Sequence, residues 1–293
     1  MNVKNELALS GEQISEKIYP DLFENIGMIR GEYLIRELNK SILEEETQEK
    51  ITKYLNKICS IYEEESVWYR FSELTVSEAN VLEGTREILE DRHPLFGLRG
   101  LRRSLCFKDE FYAEIEAINK TYKAHRNLSI FLPFVNDSEQ LSEAIHIIRD
   151  RNFSGNLGCM IELPSAYFDL KKILNTGIKK IVIGMNDLTS FVFGTVRENK
   201  WHKMNGEIMM QIIMDIQDKA TKANVDLVVA GYLSKGFVQK LNSIGIPCVV
   251  HYNLIPPIFD RWVENPHHLE DIKKLTKEKI KQAKKKEVIK REL

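Results

Sequence analysis

Short β-rich apolar runs alternate along this chain with longer amphipathic, charged stretches, and that alternation restricts the folds open to it. The apolar runs are Ile26–Ile29, Val67–Phe71, Leu128–Val135, Leu157–Leu163, Ile181–Met185, Val225–Ala230 and Pro247–His251. A weaker run, Leu95–Leu98, lies between the second and third. Helix-like segments such as Ser138–Arg149, Gly206–Ala223 and Ser234–Ile244 separate them. Continuous apolar runs suit parallel strands buried on both faces, and strands alternating with helices imply βαβ units. Eight strand candidates in 293 residues predict an α/β fold, a single-domain (β/α)8 TIM barrel. An open doubly wound sheet is the structural alternative. The expected organisation is an N-terminal extension over 1–18, the barrel over 19–265 and a charged C-terminal helix over 266–293. That helix, rich in lysine and glutamate, reads as a solvated surface with Glu–Lys pairs at helical spacing.

Bulk properties narrow the partners. The formal charge of −1 argues against a general affinity for nucleic acid or acidic membranes. No run of about 18 apolar residues is present, so no membrane span is expected. The first residues, MNVKNELALSGEQISEKIY, hold no apolar core of signal-peptide length. Cys59, Cys106, Cys159 and Cys248 are scattered, without a CxxC pair. Scattered thiols suit a reduced, cytoplasmic protein and speak against a cysteine zinc site.

The chemistry lies where the runs end. Ile26–Ile29 is followed by Arg30, Val67–Tyr69 by Arg70, and Phe96–Leu98 by Arg99. Leu157–Ile161 leads into Glu162, and Ile181–Met185 into Asn186-Asp187. In a parallel barrel these ends share the face on which the βα loops build the active site. Two carboxylates with an amide suit a hard cation such as Mg2+, which completes its octahedron with water and substrate oxygens. Arginines offer planar donor forks to phosphate and carboxylate. A single such arginine is more often a surface ion pair; their shared position makes the case for a small, multiply anionic ligand.

At this point the chain resembles a known family, the PEP-utilising enzymes, through their PEP/pyruvate-binding TIM-barrel domain. The resemblance extends to PEP synthase and to pyruvate phosphate dikinase. The matching segments begin with Ile26-Gly27-Met28-Ile29-Arg30-Gly31-Glu32-Tyr33 and Val67-Trp68-Tyr69-Arg70-Phe71-Ser72-Glu73. His93-Pro94-Leu95-Phe96-Gly97-Leu98-Arg99-Gly100 and Leu132-Pro133-Phe134-Val135 follow. The last two are Met160-Ile161-Glu162-Leu163-Pro164-Ser165 and Ile183-Gly184-Met185-Asn186-Asp187-Leu188-Thr189. Each motif is weak alone; together and in order they are specific. The resemblance implies that Glu162 and Asp187 hold Mg2+. It implies that Arg30, Arg70, Arg99 and Arg197, with Asn186, hold the phosphate and carboxylate of phosphoenolpyruvate or pyruvate. It also implies a kinase-type transferase that stabilises a pyruvate enolate, and a homodimer.

The match fails at one position. The family's proton donor is a cysteine after the seventh strand, whereas this chain reads Val228-Val229-Ala230-Gly231-Tyr232. Ala230 cannot donate a proton, and Tyr232 is the nearby candidate for a replacement catalytic acid. None of the seven histidines has the glycine-rich context of the family's phosphohistidine, and no P-loop is present. Phosphoryl transfer therefore implies a separate phosphohistidine or ATP-binding partner. Three readings stand: a PEP synthase-like phosphotransferase subunit, a Mg-dependent lyase or transferase acting through a pyruvate enolate, and a non-catalytic PEP/pyruvate-binding regulator.

Overall fold

The computed structural model describes residues 3–90, 93 and 96–292, with side chains to residue 284. Eight parallel strands close into a barrel in sequence order. They are β1 (Asn5–Leu9), β2 (Phe23–Arg30), β3 (Val67–Arg70), β4 (Leu128–Leu132), β5 (Leu157–Ile161), β6 (Lys180–Gly184), β7 (Asp226–Ala230) and β8 (Cys248–His251). β8 pairs with β1, with His251 opposite Ala8, which completes the ring.

Strand alternation sorts the side chains into two layers. Ala8, Met28, Trp68, Phe131, Met160, Val182, Val228, Ala230 and Val249 form a cluster of their own inside the barrel. Every strand contributes to it, so the lumen is a packed core and not a pore. Trp68 stacks on Phe131 with ring centroids 4.3 Å apart. Their outward neighbours, such as Leu7, Ile29, Tyr69 and Ile161, pack under the surrounding helices. At the N-terminal end of the strands, buried Lys180 donates to Glu6, and its ammonium lies 5.3 Å from the Trp68 ring centroid.

Two expectations about the strands need correction. β1 lies inside the stretch taken as an N-terminal extension. Its apolar run is short because Asn5 and Glu6 are polar yet buried. Glu6 meets Lys180, while Asn5 pairs with Asn242 and accepts from the Cys248 backbone N–H at 2.9 Å. Leu95–Leu98 is not the strand it was read as. Residues 96–98 form a turn and bend, and Pro94 and Leu95 lie outside the described residues. Arg99 therefore enters the site from a loop, as the extended residue before the helix Gly100–Cys106.

The helix His268–Glu292 is charged, but it is not merely a solvated face. Leu269 and Ile272 are buried against Tyr33. Arg36 Nε donates to Thr276 Oγ1 at 3.1 Å. Tyr33 in turn lies between two guanidinium groups, Arg30 at 4.4 Å and Arg36 at 4.8 Å from its ring centroid.

Candidate functional site

A cavity of about 500 Å3 opens at the C-terminal ends of the strands. Arg30, Arg70, Arg99, Glu162, Asn186, Asp187, Arg197 and Tyr232 all line it. Every site residue expected from the sequence is thus brought to one wall or another of a single cavity. β2 and β3 present Arg30 and Arg70 as their last residues. Glu162 follows β5, and Asn186 and Asp187 sit in the first turn of the helix Met185–Phe193 that follows β6.

The centre is acidic. Carboxylate oxygens of Glu73, Glu162 and Asp187 lie within 4.8 Å of one another, and all three residues are buried. Glu162 Oε2 accepts from the Phe134 backbone N–H at 2.8 Å. Burial, then repulsion from Glu73 and Asp187, pushes the Glu162 carboxyl up to about 8 in spite of nearby Arg70 and Arg99. Burial also opposes ionisation of Asp187, but Arg99 and Arg197 outweigh it and hold that carboxyl below its usual range. Gly184 makes room for this arrangement: a Cβ there would lie 2.4 Å from Glu162 Cγ.

Arginines surround the carboxylates. Arg99 reaches Glu73 and, at 3.0 Å, Asp187 Oδ2. Arg70 contacts Glu32 at 2.5 Å and Glu73 at 2.8 Å. Arg197, half exposed, contacts Asp187 Oδ1 at 2.8 Å. Arg30 contacts Glu32 at 3.1 Å. Arg70 Nε and Arg99 Nε remain buried without a hydrogen-bond partner among the described residues. A buried donor left unmatched costs about 1–3 kcal/mol. The Arg99 guanidinium also lies 4.6 Å from the Phe134 ring centroid.

Asn186 does not face the carboxylates alone, since its Oδ1 accepts from the Tyr232 backbone N–H at 3.0 Å. Tyr232 itself is 75% exposed at the rim. Ala230 lies in the wall with no polar atom on its side chain. Sequence reasoning passed over Glu73 and Glu32. Glu32 stands two residues beyond Arg30, in the first turn of the next helix, and Glu73 three beyond Arg70, so reading past each strand end reaches both positions. His251 was missed as well, although it closes the last apolar run.

Fold and site together define a parallel (β/α)8 barrel with a carboxylate cluster caged by arginines at the C-terminal ends of its strands. The family described as PEP-utilising enzyme, PEP-binding domain, matches residues 9–245, and the chain belongs to it. It is 28% identical over 204 residues to phosphoenolpyruvate synthase from Pyrococcus furiosus, covering 66% of this chain and 25% of that protein. It is 25% identical over 259 residues to the probable phosphoenolpyruvate synthase of Methanocaldococcus jannaschii, covering 82% of this chain and 22% of that protein. The chain thus spans about a quarter of the length of these curated relatives. Among solved structures, the protein CitE from Mycobacterium tuberculosis in complex with magnesium and acetate aligns with 92% of this chain and 96% of its own. The TM-score is 0.49 and the identity 10%, a likeness that carries no argument about function.

Proposed function

We propose that this chain is a Mg-dependent phosphoenolpyruvate- and pyruvate-binding protein whose cavity stabilises a pyruvate enolate. The observation that carries the reading is the cluster of three buried carboxylates with the guanidinium groups of Arg70 and Arg99 in the wall of the same cavity. Such a site offers both donors for a small anion and oxygen ligands for a hard cation. Glu162 and Asp187 would hold the magnesium ion, with Glu73 within reach of the same point. The fit is supported by the all-oxygen donor set and by the raised Glu162 carboxyl, a group whose charge lacks sufficient compensation. Bound there, magnesium supplies Lewis-acid stabilisation of developing negative charge.

The protein's own groups divide the remaining work. Arg70 and Arg99 orient the phosphate and carboxylate, and Arg30 and Arg197 close on the anion from the rim. Asn186 braces the Tyr232 backbone and adds a polar contact to the ligand. Phosphoryl transfer would use a separate phosphohistidine-bearing partner in the cytoplasm, docking over the open face. Ala230 favours a second reading, an enolate reaction in which the proton is handled by another group or not at all.

Calorimetric titration with oxalate, an analogue of the pyruvate enolate, tests the reading with and without magnesium. Binding should require magnesium and vanish in Glu162→Gln and Asp187→Asn, with thermal melts retained. Magnesium-independent binding in the parent, or parental binding in both variants, would exclude it.

A further inference from the structure

The cavity is larger than a three-carbon ligand requires. Its volume of about 500 Å3 falls in the range of about 300–1,000 Å3 that takes drug-sized ligands. Pyruvate, even with the phosphate of phosphoenolpyruvate, fills only part of such a space. The carboxylates occupy one arc of the ring, with Glu73 after β3, Glu162 after β5 and Asp187 after β6. The remaining arc runs through β7, β8, β1 and β2 across the closure of the barrel.

This second arc has an apolar floor. Ala8, Met28, Ala230 and Val249 belong to the luminal cluster and line the cavity, one from each of its four strands. Two of the four are alanines, whose single methyl groups leave room above them. Leu254, after β8, and Leu269, on the helix His268–Glu292, add apolar lining.

Most polar groups of the arc are engaged within the chain. His251 Nε2 lies 2.8 Å from Ser10 Oγ, and its Nδ1 lies 2.8 Å from Asn253 Oδ1. That ring is scaffold, with neither nitrogen open to a ligand. Arg30 is paired with Glu32, and Tyr232 is exposed at the rim. Lys273 differs from these. It lines the cavity from the helix His268–Glu292, and its Nζ donates to Glu270 Oε1 at 2.9 Å. It makes no other hydrogen bond among the described residues, and an ammonium carries three donors. Glu270 stands three residues earlier on the same helix with an exposed side chain, and such a pair is weak. Burial lowers the His251 pKa most, and Lys273 adds to that lowering, so its charge acts on this wall.

We propose that the ligand of this cavity is longer than pyruvate: a 2-oxo acid, or the enol derived from it, whose chain continues from C3 over the apolar floor and ends in a carboxylate held by Lys273. The inference rests on the proposed function, which seats the 2-oxo acid end at the metal and arginines. The two arcs then match the two ends of one molecule. Guanidinium forks and a cation take the oxygen-rich head, the methylene chain leaves water against Ala8, Ala230 and Val249, and one ammonium balances one terminal charge. Lys273 is thereby a specificity-determining residue, carried by a helix outside the matched residues 9–245.

The test is titration calorimetry in saturating magnesium with pyruvate and with 2-oxo monoacids and diacids of matched chain length. The pairs are 2-oxopentanoate with 2-oxoglutarate, and 2-oxohexanoate with 2-oxoadipate. The better diacid should bind about tenfold or more tighter than pyruvate, and more tightly than its matched monoacid. Lys273→Met should bring that diacid down to the affinity of its monoacid, a loss of about fivefold, whereas Lys273→Arg should keep the preference. Oxalate is titrated beside them on every protein. An equal loss for diacid, monoacid and oxalate in Lys273→Met is the mark of a loosened helix and overturns the assignment. A parent that binds oxalate, but no diacid more tightly than its monoacid, overturns the inference and leaves the reading of the site standing. A parent that binds neither oxalate nor pyruvate with magnesium defeats that reading, and the inference falls with it.

Discussion

The backbone N–H of Phe134 donates to Glu162 Oε2 at 2.8 Å from a residue whose own φ is +57°. A bulky residue in the left-handed region is uncommon and costs about 1–3 kcal/mol. Here the conformation aims an amide at a central carboxylate, while the ring on the same residue lies beside Arg99. Gly100 completes the arrangement with φ +53°, since a Cβ there would stand 2.6 Å from Phe134 Cβ. The strain is local to the point where acid and arginine meet.

Arg70→Met and Arg99→Met should each weaken phosphoenolpyruvate more than pyruvate. Truncating one partner of a buried, hydrogen-bonded charge pair costs about 2–5 kcal/mol, and only phosphoenolpyruvate carries the phosphate. Arg99→Met also strips a counter-charge from Glu73 and Asp187, so its unfolding midpoint should fall without ligand. Titration calorimetry with both ligands, beside a melt of each variant, checks this. Equal weakening of both ligands would assign the two arginines to the carboxylate.

Gly184→Ala should damage binding more than folding. The added Cβ lands on the Glu162 side chain and not on backbone, with Glu162 Oε1 at 2.5 Å. Displacing that carboxylate should abolish magnesium-dependent oxalate binding, while overpacking costs about 1–3 kcal/mol of stability. A variant that binds as the parent does would show that Glu162 has slack or holds no ion.

Glu114 should give the stability of the protein a pH dependence. Its Oε1 accepts from Tyr69 Oη at 2.7 Å and from the Ser72 N–H at 2.8 Å, and burial pushes it up to about 7 from an ordinary 4.5. The unfolded chain therefore ionises first. Its contribution is fully present below about 4.5 and is lost as pH rises through about 7, a total of about 3 kcal/mol. Glu114→Gln keeps the acceptor and cannot ionise. Urea melts at pH 4.5 and pH 8 should show the variant gaining on the parent at the higher pH; a constant difference would place the Glu114 carboxyl nearer its ordinary value.

Much of the barrel was legible because parallel strands buried on both sides spell themselves as apolar runs, and β2 to β8 did so. β1 did not, since Asn5 and Glu6 find their partners on Asn242 and Lys180, far along the chain. Arg99 was found for the wrong local reason: it follows a turn, yet reaches the same centre. Strand ends revealed the first ring of charged residues. Glu32 and Glu73 lie within three residues of those ends, but their burial as counter-ions depends on which arginines fold over them, which no run of residues records.

Tyr33 joins the C-terminal helix to the cavity, with Leu269 and Ile272 on the ring and the Arg30 guanidinium over it. Helix and ligand therefore share one aromatic hinge-pin, and thermodynamic reciprocity follows. An anion that fixes Arg30 should tighten the docking of the helix, and loosening the helix should weaken the anion by the same factor. Amide hydrogen exchange over residues 268–284 should slow when oxalate and magnesium are added, and Ile272→Asp should weaken oxalate although it lies outside the cavity lining. A segment beyond the family's own boundary would then act as an affinity control, set by how firmly its first turns hold on to one tyrosine.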